Sequence, residues 1–137
     1  MKKFKIIYWI ATSLIIVIVG LGSFAAIFMI DAMKESIQHQ GFPVYFLPFF
    51  GIAKLLAVIT IAVPKVPLFA KLKLSAYVGL FWYFLGAIHS HIAVGDSVET
   101  SMGAIIAFAL ILVSYFTWGK LATTPVLTQT EIKTATV

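Results

Sequence analysis

The chain contains no cysteine and no arginine, and only five acidic residues among 137. Without cysteine it forms no disulfide, holds no thiolate-bound metal and runs no thiol redox chemistry of its own. Charged residues make up 11% of the sequence and hydrophobic ones 61%. A soluble domain of this size lacks the polar residues to cover so much apolar surface, whereas a bilayer solvates an apolar exterior. The signatures of common chemistries are missing as well. There is no phosphate-cradling glycine loop, no nucleophile with its base, no haem-like pair of histidines at matched depths, and no acidic pair suited to acid–base work. With no self-contained catalytic constellation, an enzyme is the less expected reading. The net charge of +5 rests wholly on lysine. Most of these lysines flank apolar runs, where membrane orientation and anionic lipid account for them better than nucleic acid does. A nucleic-acid partner is therefore not expected; a lipid bilayer is.

What the chain has is four long apolar runs. The first, Ile6 to Ile30, follows Lys2, Lys3 and Lys5 and is closed by Asp31. At about 1.5 Å per residue it crosses a hydrocarbon core of roughly 30 Å with room for tilt. Ser23 and Ala25 stand at signal-peptidase-like spacing, but the run continues past them and exceeds a typical signal core, so an uncleaved helix is expected. The second run extends from about Val44 to Val63. Pro43 suits its start, Pro48 should kink or loosen its first turns, and Pro64 and Pro67 end it. The third runs from about Leu74 to Val94 and closes at Gly95-Asp96; the fourth runs from about Met102 to Gly119, with Lys120 at its exit. These predict an all-α protein, a four-transmembrane-helix bundle forming one domain over 1–120, with a mobile cytoplasmic tail over 121–137. With the N-terminus inside, Lys2, Lys3, Lys5, Lys65, Lys71, Lys73, Lys120 and Lys133 fall on the inner side and only Lys34 on the outer. That bias predicts that both termini are cytoplasmic.

Lys54, halfway along the second run, is the sharpest pointer to function, because a lysine near the bilayer centre costs roughly 2.5–3.5 kcal/mol on insertion scales. Counting rise per residue, Lys54 lies about 15 Å below the outer boundary and Tyr83 on the third run about 16 Å below it. The two can share a level, with the Tyr83 hydroxyl as a hydrogen-bond partner. Gly79, Tyr83, Gly86, Ala87 and Ser90 recur at three- and four-residue intervals, a stripe of mostly small residues that lets helices approach closely. Gly51, Lys54 and Val58 share a face in the same way. Lys54, Tyr83 and Ser90 thus form a candidate intramembrane polar spot, with a packing seam as the plainer account of it.

His91, with Asp96 and His39, is a candidate polar group at the outer face. His89 and His91 are turned about 200° from one another on a regular helix and cannot both ligate one ion, so no metal is expected. Tyr8, Trp9, Tyr45 and Trp118 fit interfacial belts. Phe49, Phe50, Phe81 and Trp82 lie deeper and could line an apolar cavity for a quinone or a lipid tail, although lipid-facing side chains are the commoner case.

Gly41-Phe42-Pro43-Val44-Tyr45-Phe46, Gly51-Ile52-Ala53-Lys54-Leu55-Leu56, Leu74-Ser75-Ala76-Tyr77-Val78-Gly79 and Gly86-Ala87-Ile88-His89-Ser90-His91 with Gly95-Asp96 follow in this order along the four runs. In order, spacing and placement they resemble the DoxX-like family over about residues 1–119. The motif positions that carry over are Gly41, Pro43, Tyr45, Gly51, Lys54, Tyr77, Gly86, Ser90 and His91. The resemblance implies a small multi-pass protein of a bacterial inner (plasma) membrane. Its expected role is an accessory subunit of a membrane redox or stress-response assembly, partnered there by another membrane protein. The alternatives are binding or transport of a small apolar molecule such as a quinone, and a membrane-protein assembly factor. No resident cofactor is implied beyond that quinone. In the family pattern an aspartate stands where this chain has Tyr83. The buried Lys–Asp pair is therefore not available here, and any mechanism that needs that carboxylate is not carried over.

Overall fold

In a computed structural model of the protein, residues 2–63 and 66–135 are described, the side chains of 123–133 excepted. Pro64, Lys65 and Val137 lie outside the described residues, as does the Lys133 side chain. Five helices follow one another: α1 (Lys2–Ile27), α2 (Asp31–His39), α3 (Phe46–Ala62), α4 (Pro67–Ala93) and α5 (Val98–Ala135). No strand occurs among the described residues. Three stretches are long and apolar enough to cross a membrane: α1, α4 and the Val98–Ala122 part of α5. The apolar helix α3 is shorter, at 17 residues.

The four long helices close a ring in which α1 packs on α3 and α5, and α4 packs on the same two. Each supplies one stripe to the interior. On α1 the buried positions Tyr8, Ala11, Thr12, Ile15, Val19, Ser23 and Ala26 recur every three or four residues. Ile6, Ile10, Val17, Leu21 and Phe24, equally apolar, face outward. Helices that are apolar all round show that lipid is the outer solvent. The centre is filled by Ile15, Val19, Val58, Ile61, Tyr77, Leu80, Phe84, Ala107 and Ile111.

Gly51 sits at a close contact between α3 and α1. A Cβ there would lie 2.8 Å from the Ser23 carbonyl oxygen and 2.8 Å from Ile27 Cγ1, so only glycine lets α3 lie this close to α1. Gly79 and Gly86, expected to serve the same purpose on α4, do not: a Cβ at either meets nothing within 4 Å.

The helix ends depart from the sequence reading for identifiable reasons. Pro67 opens α4 instead of closing the second run. It stands at the first helical position after an extended Val66, where its missing N–H has no intrahelical acceptor to lose. Pro48, expected to kink or loosen the helix, falls within the first turn of α3, where backbone donors lack intrahelical acceptors in any case. The fourth helix passes its expected end at Gly119 and continues to Ala135. The short α2 has no counterpart among the apolar runs. It lies across one end of the bundle with Ile37 packed against Ala26 and Leu47.

Three of the turns share one device. Gly41 (φ 85°) follows α2, Gly95 (φ 77°) follows α4 and Met29 (φ 53°) follows α1. In each, the next residue's N–H reaches back to a carbonyl five positions earlier: Phe42 to Ile37, Asp96 to His91 and Ile30 to Ala25. This is the Schellman arrangement, which needs a left-handed residue and usually places glycine there.

Candidate functional site

The small residues of α4 open a space instead of closing a seam. A cavity of about 430 Å³ lies at the α2 end of the bundle. Its lower wall is Phe50 and Lys54 of α3 with Trp82, Tyr83, Gly86 and Ala87 of α4. Toward the mouth, Met33, Ser36, Ile37 and Gln40 of α2 lie over it, and His89 and Ser90 add polar groups from α4. On the flank, Trp82 is 64% exposed and Gly86 is exposed too.

Lys54 Nζ lies over the Tyr83 ring, 5.0 Å from its centroid. The contact is therefore with the ring face and not with the hydroxyl that the sequence suggested. Tyr83 is held there by edge-on contacts with Phe50 at 5.7 Å and Phe84 at 5.0 Å. A cation over an aromatic face gains about 0.5–2 kcal/mol. That falls short of the roughly 2.5–3.5 kcal/mol that a lysine costs at membrane depth. Among the described residues no carboxylate lines the cavity. Ser90 lines the same cavity, but its Oγ donates to the Gly86 carbonyl (2.9 Å) and does not reach the lysine.

At the outer mouth the Schellman turn after α4 sets Asp96 beneath α2. One carboxylate oxygen accepts from His39 Nε2 and the other from His91 Nδ1, each at 2.6 Å. His91 Nε2, left as the acceptor, takes a hydrogen bond from the Gln40 amide at 3.2 Å. These contacts hold the Asp96 carboxyl below the usual carboxylate range, His39 contributing first and His91 next. The three residues expected as an outer polar group thus meet as a clasp that ties the end of α2 to the α4–α5 turn. Asp31, at the start of α2, pairs with Lys34 at 2.9 Å. Among the described residues no group of three His, Asp or Glu side chains is arranged to hold a metal. His89 faces the cavity and takes no part in the clasp.

A second polar centre, at the opposite end of the bundle, was not legible in the runs. Lys73, counted as a membrane-flanking lysine, is only 5% exposed. Its Nζ donates to the Tyr8 hydroxyl at 2.7 Å and lies 5.0 Å and 5.2 Å from the Tyr8 and Trp118 ring centroids. Tyr8 and Trp118 therefore enclose a lysine, where a lipid-facing belt was expected; Trp9 and Tyr45 remain exposed. One helical turn on, the Tyr77 hydroxyl bonds Ser114 Oγ at 2.7 Å, and Ser114 bonds Thr12 Oγ1 at 2.8 Å. Tyr77, a motif residue, thereby joins α4 to α5 and α1 through the middle of the core. Of the remaining motif positions, Gly41 makes the turn after α2, Gly51 the close contact with α1, and Gly86 the open wall of the cavity. Pro43 and Val44 accept the N–H groups of Phe46 and Leu47 in the turn that leads into α3. Of the deeper aromatics, Phe50 and Trp82 line the cavity, while Phe81 and Trp82 line a cleft of about 340 Å³ between α4 and α5. Phe49 lies exposed on the flank.

The model of the DoxX-like family matches residues 10–114. That stretch runs from α1 into α5 and contains the cavity, the clasp and the Tyr77–Ser114–Thr12 chain. No curated protein and no solved structure matches the chain.

Proposed function

The chain belongs to the DoxX-like family, and on that premise we propose that it is a membrane protein that binds a small apolar-bodied molecule drawn from the bilayer, of the size and kind of a quinone. The observation that carries this reading is the cavity between α3 and α4. Its volume of about 430 Å³ falls in the ordinary range for small-molecule sites of roughly 300–1,000 Å³. It combines apolar walls with few polar groups, the usual make-up of such sites, and its exposed flank faces the side from which a lipid-soluble molecule would come. The reading is one of binding and not of catalysis.

The accompanying topology has four spans, α1, α3, α4 and α5, with both termini in the cytoplasm of a bacterial cell and the chain in its inner membrane. Supporting this are the lysine-rich α3–α4 connection and N-terminus, and the acidic residues Asp31, Glu35, Asp96 and Glu99 at the other end. Residues 121–137 would then leave the membrane as a cytoplasmic tail. Roles as an accessory subunit of a redox or stress-response assembly, or as an assembly factor, draw on the family alone, and no feature of the cavity favours them.

The test is lipid extraction from protein isolated gently from its own membranes, compared with a Gly86→Leu variant. A Cβ at Gly86 meets nothing, so a side chain can be added at this cavity wall, and a thermal melt of the leucine variant checks that the bundle is intact. A small molecule retained in stoichiometric amount by the wild type and lost from Gly86→Leu is the expected result. Equal recovery from both proteins would place the molecule elsewhere, and no retained molecule would end the binding reading.

A further inference from the structure

We infer that the molecule this cavity takes is an amphiphile with a singly charged anionic head, a long-chain carboxylate, whose head sits against Lys54 and whose chain leaves the bundle past Trp82 and Gly86. The inference rests on the reading that the cavity binds a bilayer-soluble molecule and departs from a quinone in one respect, an anionic head in place of a neutral one.

Among the described residues Lys54 is the one lysine that lines the cavity, and no carboxylate there supplies its counter-charge. Of the acids at this end, Asp96 is held by two histidines and Asp31 by Lys34, and none of Asp31, Glu35, Asp96 and Glu99 lines the space. The lysine meets only the face of Tyr83. An ammonium in a water-poor site is well satisfied only by an anionic oxygen, because a charge-assisted hydrogen bond is roughly twice as strong as a neutral one. A ligand that brings such an oxygen completes the site; a neutral one of the same shape leaves the ammonium as it is.

The walls narrow the class further. An inorganic anion would satisfy the lysine but leave Phe50 and Trp82 without an apolar partner. A phosphate with a second charge would need a second permanent cation, and among the described residues the lining holds one lysine, with His89 as its other basic group. One carboxylate matches one ammonium, and an alkyl chain matches the walls. The exit is set by the exposed flank at Trp82 and Gly86, where the absence of a side chain on Gly86 leaves room for a chain to pass into the lipid.

The experiment uses the full chain in nanodiscs of zwitterionic phosphatidylcholine loaded with equal amounts of palmitate and hexadecanol. Protein-bearing discs are separated from empty ones, and both compounds are quantified per protein chain. The expected result is palmitate enriched at least about tenfold over hexadecanol, with the preference abolished in Lys54→Met and kept in Lys54→Arg. Thermal melts of both variants show whether the bundle is intact, and the arginine variant keeps the test informative if methionine disturbs it. Equal enrichment of both compounds, or a palmitate preference that survives Lys54→Met in an intact bundle, overturns the inference while leaving the binding reading in place. Enrichment of neither overturns the inference, and the binding reading then stands or falls on the lipid extraction with Gly86→Leu alone.

Discussion

Individual side chains do two kinds of work in this bundle, and Ser114 and Lys54 are the extremes. Ser114 is fully buried and connects Thr12 on α1 with Tyr77 on α4, so one small hydroxyl satisfies two others. Apolar packing between helices gains little in lipid, which makes such bonds and close contacts the specific glue. Ser114→Ala should lower stability by about 1–3 kcal/mol, because the hydroxyl that both Tyr77 and Thr12 bond is removed from an apolar core. Unfolding titration in mixed micelles measures this; a change near zero would mean that Tyr77 finds another acceptor. Depth counting puts Lys54 and Tyr83 at one level, as rise per residue allows. The Thr12–Ser114 pair is different: 102 positions separate the two residues, and each hydroxyl alone looks like an ordinary polar residue in an apolar run. Lys73 misleads for a related reason. Its place in sequence is that of a flanking lysine, and only the arrival of Tyr8 and Trp118 from other helices encloses it.

Among the elements, α2 has the most distinctive place. It is short and polar, so its residues read as a loop, and its only deep anchor is Ile37. What holds its C-terminal end is the carboxylate of Asp96. Because the folded-state pKa of Asp96 is lowered, the clasp's contribution is fully present above the ordinary carboxylate value of about 3.9 and is lost as pH falls through the lowered value. Near neutral pH, Asp96→Asn should therefore loosen α2 without unfolding the bundle. Since the chain has no cysteine of its own, Ala87→Cys provides a single thiol in the cavity wall. A water-soluble maleimide should label it several-fold faster when Asp96→Asn is added, and an unchanged rate would mean that Ile37 alone fixes the helix. The four apolar runs were legible because helices surrounded by lipid are apolar all round. Which helices touch was not, because periodicity marks a face without naming its neighbour. Gly79 and Gly86 show this most clearly: their spacing suggests a close approach, and only Gly51 makes one.

At the scale of the whole molecule, the asymmetry of charge along the bundle is the feature on which the proposed orientation rests. Lysines gather at the end where α1 and α4 begin, and acids at the end where α2 lies. Ser97→Cys should accordingly react with an impermeant maleimide on intact cells, while Thr134→Cys should react only after the cells are opened. Labelling of both from outside would overturn the four-span arrangement. The lengths of the helices have a further effect on the surroundings. At about 1.5 Å per residue, α3 is roughly 25 Å long where α1 is roughly 39 Å. In the four-span arrangement proposed above, a hydrocarbon layer of roughly 30 Å would therefore meet one flank of the protein that is too short for it. Next to α3 the bilayer must thin or the helix must sink, and either response draws the headgroup layer down toward the flank where the cavity opens. A molecule with a polar head and a long tail, as proposed for the cavity, would then travel a shorter way to Lys54 than the undisturbed membrane imposes, and the protein would shape the membrane at its own doorway.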